Sequence, residues 1–176
     1  MNLKPQDILV TLKLLDGGHA NLTFAQLAGE LGISASEANM AFHRARESGL
    51  ISPLDRSANR SAVAELLIHG LKYLAPVHPG KRTRGVVTGF AAAPLAEFFE
   101  ASLDDADVMV WPDPNGQRAG WEIEPLCRSV PFAALRDPKL YEWLVLADAL
   151  RAAGRARERQ IAEDILRRRL GYLGKR

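Results

Sequence analysis

The sequence predicts a mainly α protein of the α+β class, and three stretches carry that prediction. Thr23 to Ile51, TFAQLAGELGISASEANMAFHRARESGLI, encodes two short amphipathic helices joined by a tight turn. In the middle, two extended runs flank a basic turn at Pro79 to Arg84 and predict a small hairpin. Pro138 to Leu170 predicts two more helices broken at Gly154.

Asn2 to Leu15 opens the chain as a helix. Pro5 suits its first turn, Asp7 sits near the positive end of its dipole, and Ile8, Leu9, Leu12 and Leu15 form its apolar stripe. Asp16-Gly17-Gly18 ends it. Thr23 and Gln26 then have the spacing of a capping box, and Phe24, Leu27, Ala28 and Leu31 recur at helical spacing. Gly32 is free to take the positive φ of a tight turn, and Ile33 pins that turn to the core. Ser34 and Glu37 form a second capping box. The helix after it buries Ala38, Ala41, Phe42 and Ala45, and Gly49 closes it before Leu50 and Ile51 re-enter the core.

Two short helices so closely joined cannot lie side by side as an antiparallel pair. A crossed pair that holds its second helix proud of the surface is the usual solution, and such a helix fits the DNA major groove. The outward positions read from the sequence are Ser36, Glu37, Asn39, Met40, His43, Arg44 and Glu47. Asn39 suits adenine, Arg44 a guanine or phosphate, and Ser36 a base edge or phosphate. The helix N-terminus at Ser34 favours a phosphate oxygen.

The chain after Ile51 is less regular. Ser52 to Arg60 is polar and turn-rich, and Ser61 to His69 reads as a helix stopped by Gly70. Leu71 to Val77 and Val86 to Phe90 read as extended, so their hairpin tip would carry Lys81, Arg82 and Arg84, the cations a wing needs to hold phosphates. Asp55 to Arg60, with Arg56 and Arg60, is the alternative wing. Ala91 to Pro94 reads as a joint, which divides the chain into 1–93, a DNA-binding domain, and 94–176, a dimerisation, sensing or partner-binding region. Pro94 to Leu103 reads as a short helix, Val108 to Trp111 and Trp121 to Pro125 as extended, and Pro131 to Leu135 as a helical turn. In the final hairpin, Trp143, Leu144 and Leu150 on one helix and Ile161, Ile165 and Leu166 on the other form stripes. These stripes are either a homodimer contact or pack back onto 94–136.

The segments LAGELGIS and RARESGLI resemble the winged helix-turn-helix of MarR-type bacterial regulators. Across the whole chain, HGLKYLAP, TRGVVT, VWPDPNG, EPLCRSVP, RDPKLYEWL and DALRAAGRARER are similar to a bacterial winged-helix family. The resemblance implies an N-terminal winged helix-turn-helix with a small β-hairpin wing, and a transcriptional regulator or a regulatory partner of a neighbouring gene product. It carries over no ligand and no catalytic residue.

Composition narrows the classes. Charge is segregated: residues 1–93 carry net +3, 94–150 net −7 and 151–176 net +6. Basic ends suit nucleic acid, and the basic tail equally suits the acidic middle. The N-terminus lacks the regions of a signal peptide and no apolar run spans a bilayer, so a cytoplasmic protein is expected. Cys127 is the only cysteine, which excludes a disulfide framework and a Cys-rich zinc site. With Arg128 beside it, Cys127 is either an activated thiol or a small core residue. Asp104, Asp105 and Asp107 form either a cation loop or a solvated one. His19, His43, His69 and His78 lack metal-ligand spacing. Trp111, Trp121, Tyr141 and Trp143 line a pocket, a partner surface or a core. No nucleophile, base and orienting acid assemble from spacing, so neither an enzyme nor a cofactor is expected. The expected partners are double-stranded DNA and a second copy of the chain. The rival is a winged-helix interaction module that binds a protein.

Overall fold

The computed structural model describes residues 2–99, 107–152 and 155–173. It is a mixed α+β fold whose core begins with α1 (Pro5–Lys13), α2 (Phe24–Leu31) and α3 (Ala35–Glu47). Both capping boxes form: Thr23 Oγ1 accepts from Gln26 N and Ser34 Oγ from Glu37 N, while each N3 side chain reaches back to its cap. Gly32 adopts φ 68° and lies against Phe132, so a Cβ there would stand 2.6 Å from the ring. The turn therefore needs glycine both for its backbone and for close approach.

After α3 the chain folds back at once. Ile51 bridges Ala58 antiparallel, Ser52 N donates to Ser57 O, and Asp55 accepts from the Ser57 backbone and hydroxyl. The next helix corrects the sequence expectation. Gly70 does not stop it: α4 (Arg60–Glu65) passes through a π turn (Leu66–Gly70) into α5 (Leu71–Leu74). Leu67, Ile68 and Leu71 are buried along this path, and their burial outweighs the poor helix propensity of glycine.

The expected hairpin of 71–77 with 86–90 is absent for that reason. Only Val86 to Thr88 of its second run are extended, within β1 (Arg82–Thr88), which pairs with strands far along the chain, β2 (Met109–Pro112) and β3 (Arg118–Glu122). Both partners are antiparallel to β1. β3 takes its first half and β2 its second, and the two pair parallel with each other to close a three-stranded barrel. Gly85 stands at the handover, opposite Pro112 and Arg118 at once. A side chain there would collide with the Trp111 carbonyl, so only glycine lets the strands close.

The rest is helical: α6 (Val130–Arg136), α7 (Pro138–Arg151) and α8 (Ala156–Leu170). From Trp143 to Arg151 every residue of α7 is buried, as in a helix that runs through a core. α7 packs on α1, α5, α6 and α8, and one contiguous cluster of buried residues runs from Ile8 to Leu170. Of the stripes of the final hairpin, Trp143, Leu144, Leu150, Ile165 and Leu166 are buried within the chain and Ile161 is half-buried.

Two polar clusters fix this core. Lys13, 3% exposed, meets Glu30 of α2 at 2.5 Å and Asp137 at 2.6 Å. Asp137 also caps α7, accepting from Lys139 N and Leu140 N. Burial pushes the Asp137 carboxyl up, but the bonds from Lys13, Leu140 and Lys139 hold it below its ordinary value. Further in, Asp148 accepts from Thr88 Oγ1, Trp111 Nε1 and Arg151 Nε, joining α7 to β1 and β2. Arg151 also donates to the carbonyls of Ala75 and Glu124. No described helix is long and apolar enough to cross a membrane.

Candidate nucleic-acid interface

The surface of α3 follows from what holds its other side. Asp7, fully buried on α1, accepts from Lys4 N and from Arg44 Nε and Nη2. Arg44 is 7% exposed, and the hydrogen bonds it donates to Asp7 raise its pKa against the opposing effect of burial. The expectation that Arg44 faces outward is corrected. It borders the apolar stripe, and the buried acid on α1 draws it inward, so its charge is spent inside the fold.

Ser36, Asn39 and Met40 are exposed, and His43 is half-buried, with its ring packed on Phe24 and Phe42. Two cations that the outward reading omitted join them. Arg46 lies over Phe42 at 5.8 Å and contacts His43 Nδ1 at 3.1 Å. Asn39, His43 and Arg46 stand at i, i+4 and i+7, so they share one stripe. Arg56, from the bridged loop after α3, sits 4.9 Å from both the Phe24 and Phe42 rings, with Nε and Nη2 buried and without hydrogen-bond partners. Its φ of 61° is the left-handed value that lets the loop aim this side chain back at α3. The alternative wing at Asp55 to Arg60 did contain Arg56. Arg60 of that stretch is used elsewhere, donating to the Arg169 carbonyl at the end of α8.

At the helix start, Glu37 occupies the place where a phosphate was expected. Its carboxylate accepts from Ser34 N at 2.8 Å, and hydrogen bonds from Ser34, backbone first, lower its pKa. Ser34 itself is committed as the cap. Lys81, Arg82 and Arg84 are exposed but sit at and in the first half of β1, inside a sheet and not at a hairpin tip, and Arg82 lies over Trp121 at 5.6 Å. The sheet neighbours of β1 are β2 and β3, whereas α3 packs on α1 and α2.

The other residues singled out by sequence resolve locally. Trp111 is fully buried and bonded to Asp148, and Trp143 is core. Tyr141 donates to the Val87 carbonyl, and burial raises its pKa. Burial raises the pKa of the Cys127 thiol, with Ser129 Oγ at 3.5 Å, the reverse of activation. Among the described residues no group of His, Cys, Asp and Glu gathers at metal-binding distance, and Asp104 and Asp105 lie outside them. Near the α2–α3 turn, Phe132 and Leu135 of α6 are 45% and 65% exposed. No protein-family model matches this chain, and neither a curated protein nor a solved structure matches it.

Proposed function

We propose that this protein is a sequence-specific double-stranded DNA-binding regulator, with α3 in the major groove and the 51–58 loop in place of the expected wing. One observation carries the reading. α3 is locked to α1 by the buried Asp7–Arg44 pair, while its opposite face offers Ser36, Asn39 and Met40 beside a cluster of His43, Arg46 and Arg56. In this reading Asn39 and Ser36 meet base edges, and Arg46 and Arg56 meet backbone phosphates. A homodimer on a two-fold site belongs to the same proposal, because one such helix covers only a half-site. Apart from the half-buried Ile161, the hairpin stripes are buried within the chain, so its contact would lie elsewhere.

A second reading is favoured by charge. Residues 1–60 hold equal numbers of acidic and basic side chains, and Lys13 and Arg44 are spent on internal pairs. Met40, Phe132 and Leu135 add exposed apolar surface to this part of the molecule. That combination suits a protein partner better than a phosphate backbone.

The discriminating experiment is selection of genomic fragments by the purified protein, followed by titration of a recovered fragment at several salt concentrations. DNA recognition predicts a recurring site and a steep salt dependence, flattened by about two units of log–log slope in Arg46→Ala/Arg56→Ala. Failure to enrich any site, or a slope untouched by the double variant, would favour the protein-binding reading.

A further inference from the structure

Away from α3, the first turn of α8 closes one side of a cavity of about 330 Å³, at the small end of the range for small-molecule sites. Its apolar wall is Phe90 and Phe99, packed edge to face at 5.8 Å. Arg155 lies 5.0 Å from the Phe90 ring and Arg157 5.3 Å from the Phe99 ring. Arg157 is exposed and has no carboxylate partner among the described residues. Lining the same cavity is Glu158, only 3% exposed, and neither of its carboxylate oxygens has a hydrogen-bond partner. The nearest cation, Arg155 Nη1, stands 3.7 Å from Oε2, an ion pair without a hydrogen bond.

A buried carboxyl without donors is costly, and folding alone gives no reason to keep one. Burial pushes Glu158 up to about 7, against the pull of Arg155 and the weaker pull of the nearby Phe90 backbone N–H, and with a further push from Asp148. The cavity thus holds an acceptor that wants a donor, and beside it guanidinium groups that want an anion. A divalent cation does not fit, because two arginines stand beside Glu158 and the other carboxylate lining the cavity, Asp107, is exposed. A flat ring fits poorly, since each phenyl already has a guanidinium over it and the two rings pack edge to face.

We infer that this cavity is a binding site for a small amino acid with an apolar side chain, its ammonium on Glu158, its carboxylate between Arg155 and Arg157, and its side chain against Phe90 and Phe99. One small zwitterion supplies both complements at once, and charge-assisted hydrogen bonds are the strong kind. The site stands apart from α3 and does not depend on what α3 binds. If α3 does bind DNA, it is an effector site.

The test is calorimetry on the full chain at pH 7 with the common L-amino acids. L-leucine is then compared with 4-methylpentanoate, which lacks the ammonium, and 3-methylbutylamine, which lacks the carboxylate. The expected result is binding of one or more apolar amino acids with release of protons, because an ammonium on Glu158 favours its ionised form. Each one-ended analogue should bind about tenfold or more weakly, the scale of a lost charged hydrogen bond. Glu158→Gln keeps the side-chain volume and Arg157 is exposed, so Glu158→Gln and Arg157→Ala should fold. Each should weaken amino-acid binding by about tenfold or more. The inference is overturned if no amino acid binds, if Glu158→Gln binds as the parent does, or if 4-methylpentanoate binds as tightly as leucine with uptake of protons. That last outcome would make Glu158 a neutral donor to an anion.

Discussion

Asp7 and Glu158 occupy the same place on two helices. Each is the third residue of its helix, and each is closed off from water. Asp7 accepts from the backbone of its own cap residue, Lys4, and from two nitrogens of Arg44. Glu158 accepts no hydrogen bond from Arg155, the residue in the matching position, which reaches it only as an ion pair at 3.7 Å. The first acid is therefore part of the frame that aims α3. The second is held in a form the fold does not satisfy, as expected where a ligand must finish the job.

Breaking the satisfied pair should have the largest effect. Arg44→Ala strands a buried carboxylate, so unfolding free energy should fall by about 3–5 kcal/mol. Denaturant titration measures it. A loss below about 1 kcal/mol, the scale of an exposed pair, would show that the pair is not a lock. Replacing Asp7 with Leu in the same chain should recover part of the loss, since removing both partners is far cheaper than removing one.

Glu158→Gln should act in the opposite direction and depend on pH. The folded protein holds this proton up to about 7, whereas the free carboxyl loses it near 4.5. The folded state thus binds more protons within that window, and the acid costs stability as pH rises through it, levelling off above 7. Glu158→Gln should match the parent near pH 4 and exceed it by about 3 kcal/mol at pH 8. Equal stabilities at both pH values would mean that Glu158 is satisfied after all.

Ser34→Ala sharpens the comparison at an exposed helix start. It removes the cap of α3 but strands no buried charge, so it should cost about 1 kcal/mol. Thermal melts should place it well below Arg44→Ala in effect.

The difference between the two acids also marks what a sequence discloses. The caps at Thr23 and Ser34 and the turn at Gly32 were legible because each depends on residues within a few positions. The inward turn of Arg44 was not, because its partner lies on another helix and no pattern within α3 announces it. The sheet failed to appear for a related reason. The second half of β1 reads as extended, but its partners lie more than twenty residues away, and the first four residues of the nearer run at 71–77 are helical. Of the candidate interface, Asn39, Met40 and Ser36 were found by helical period, and Arg56 only as part of an alternative wing. Arg46 was missed. Helical period alone does reveal it, seven positions after Asn39 and on the same stripe.

The central claim is that the outward face of α3 reads DNA sequence, and Asn39 is its most exposed test. The measurement is the affinity of parent and Asn39→Ala for the selected site and for that site with each base pair changed in turn. The account predicts that the parent loses about 1–3 kcal/mol on a change at one position and that Asn39→Ala loses that discrimination there while keeping it elsewhere. An Asn39→Ala profile that matches the parent at every position would contradict the claim.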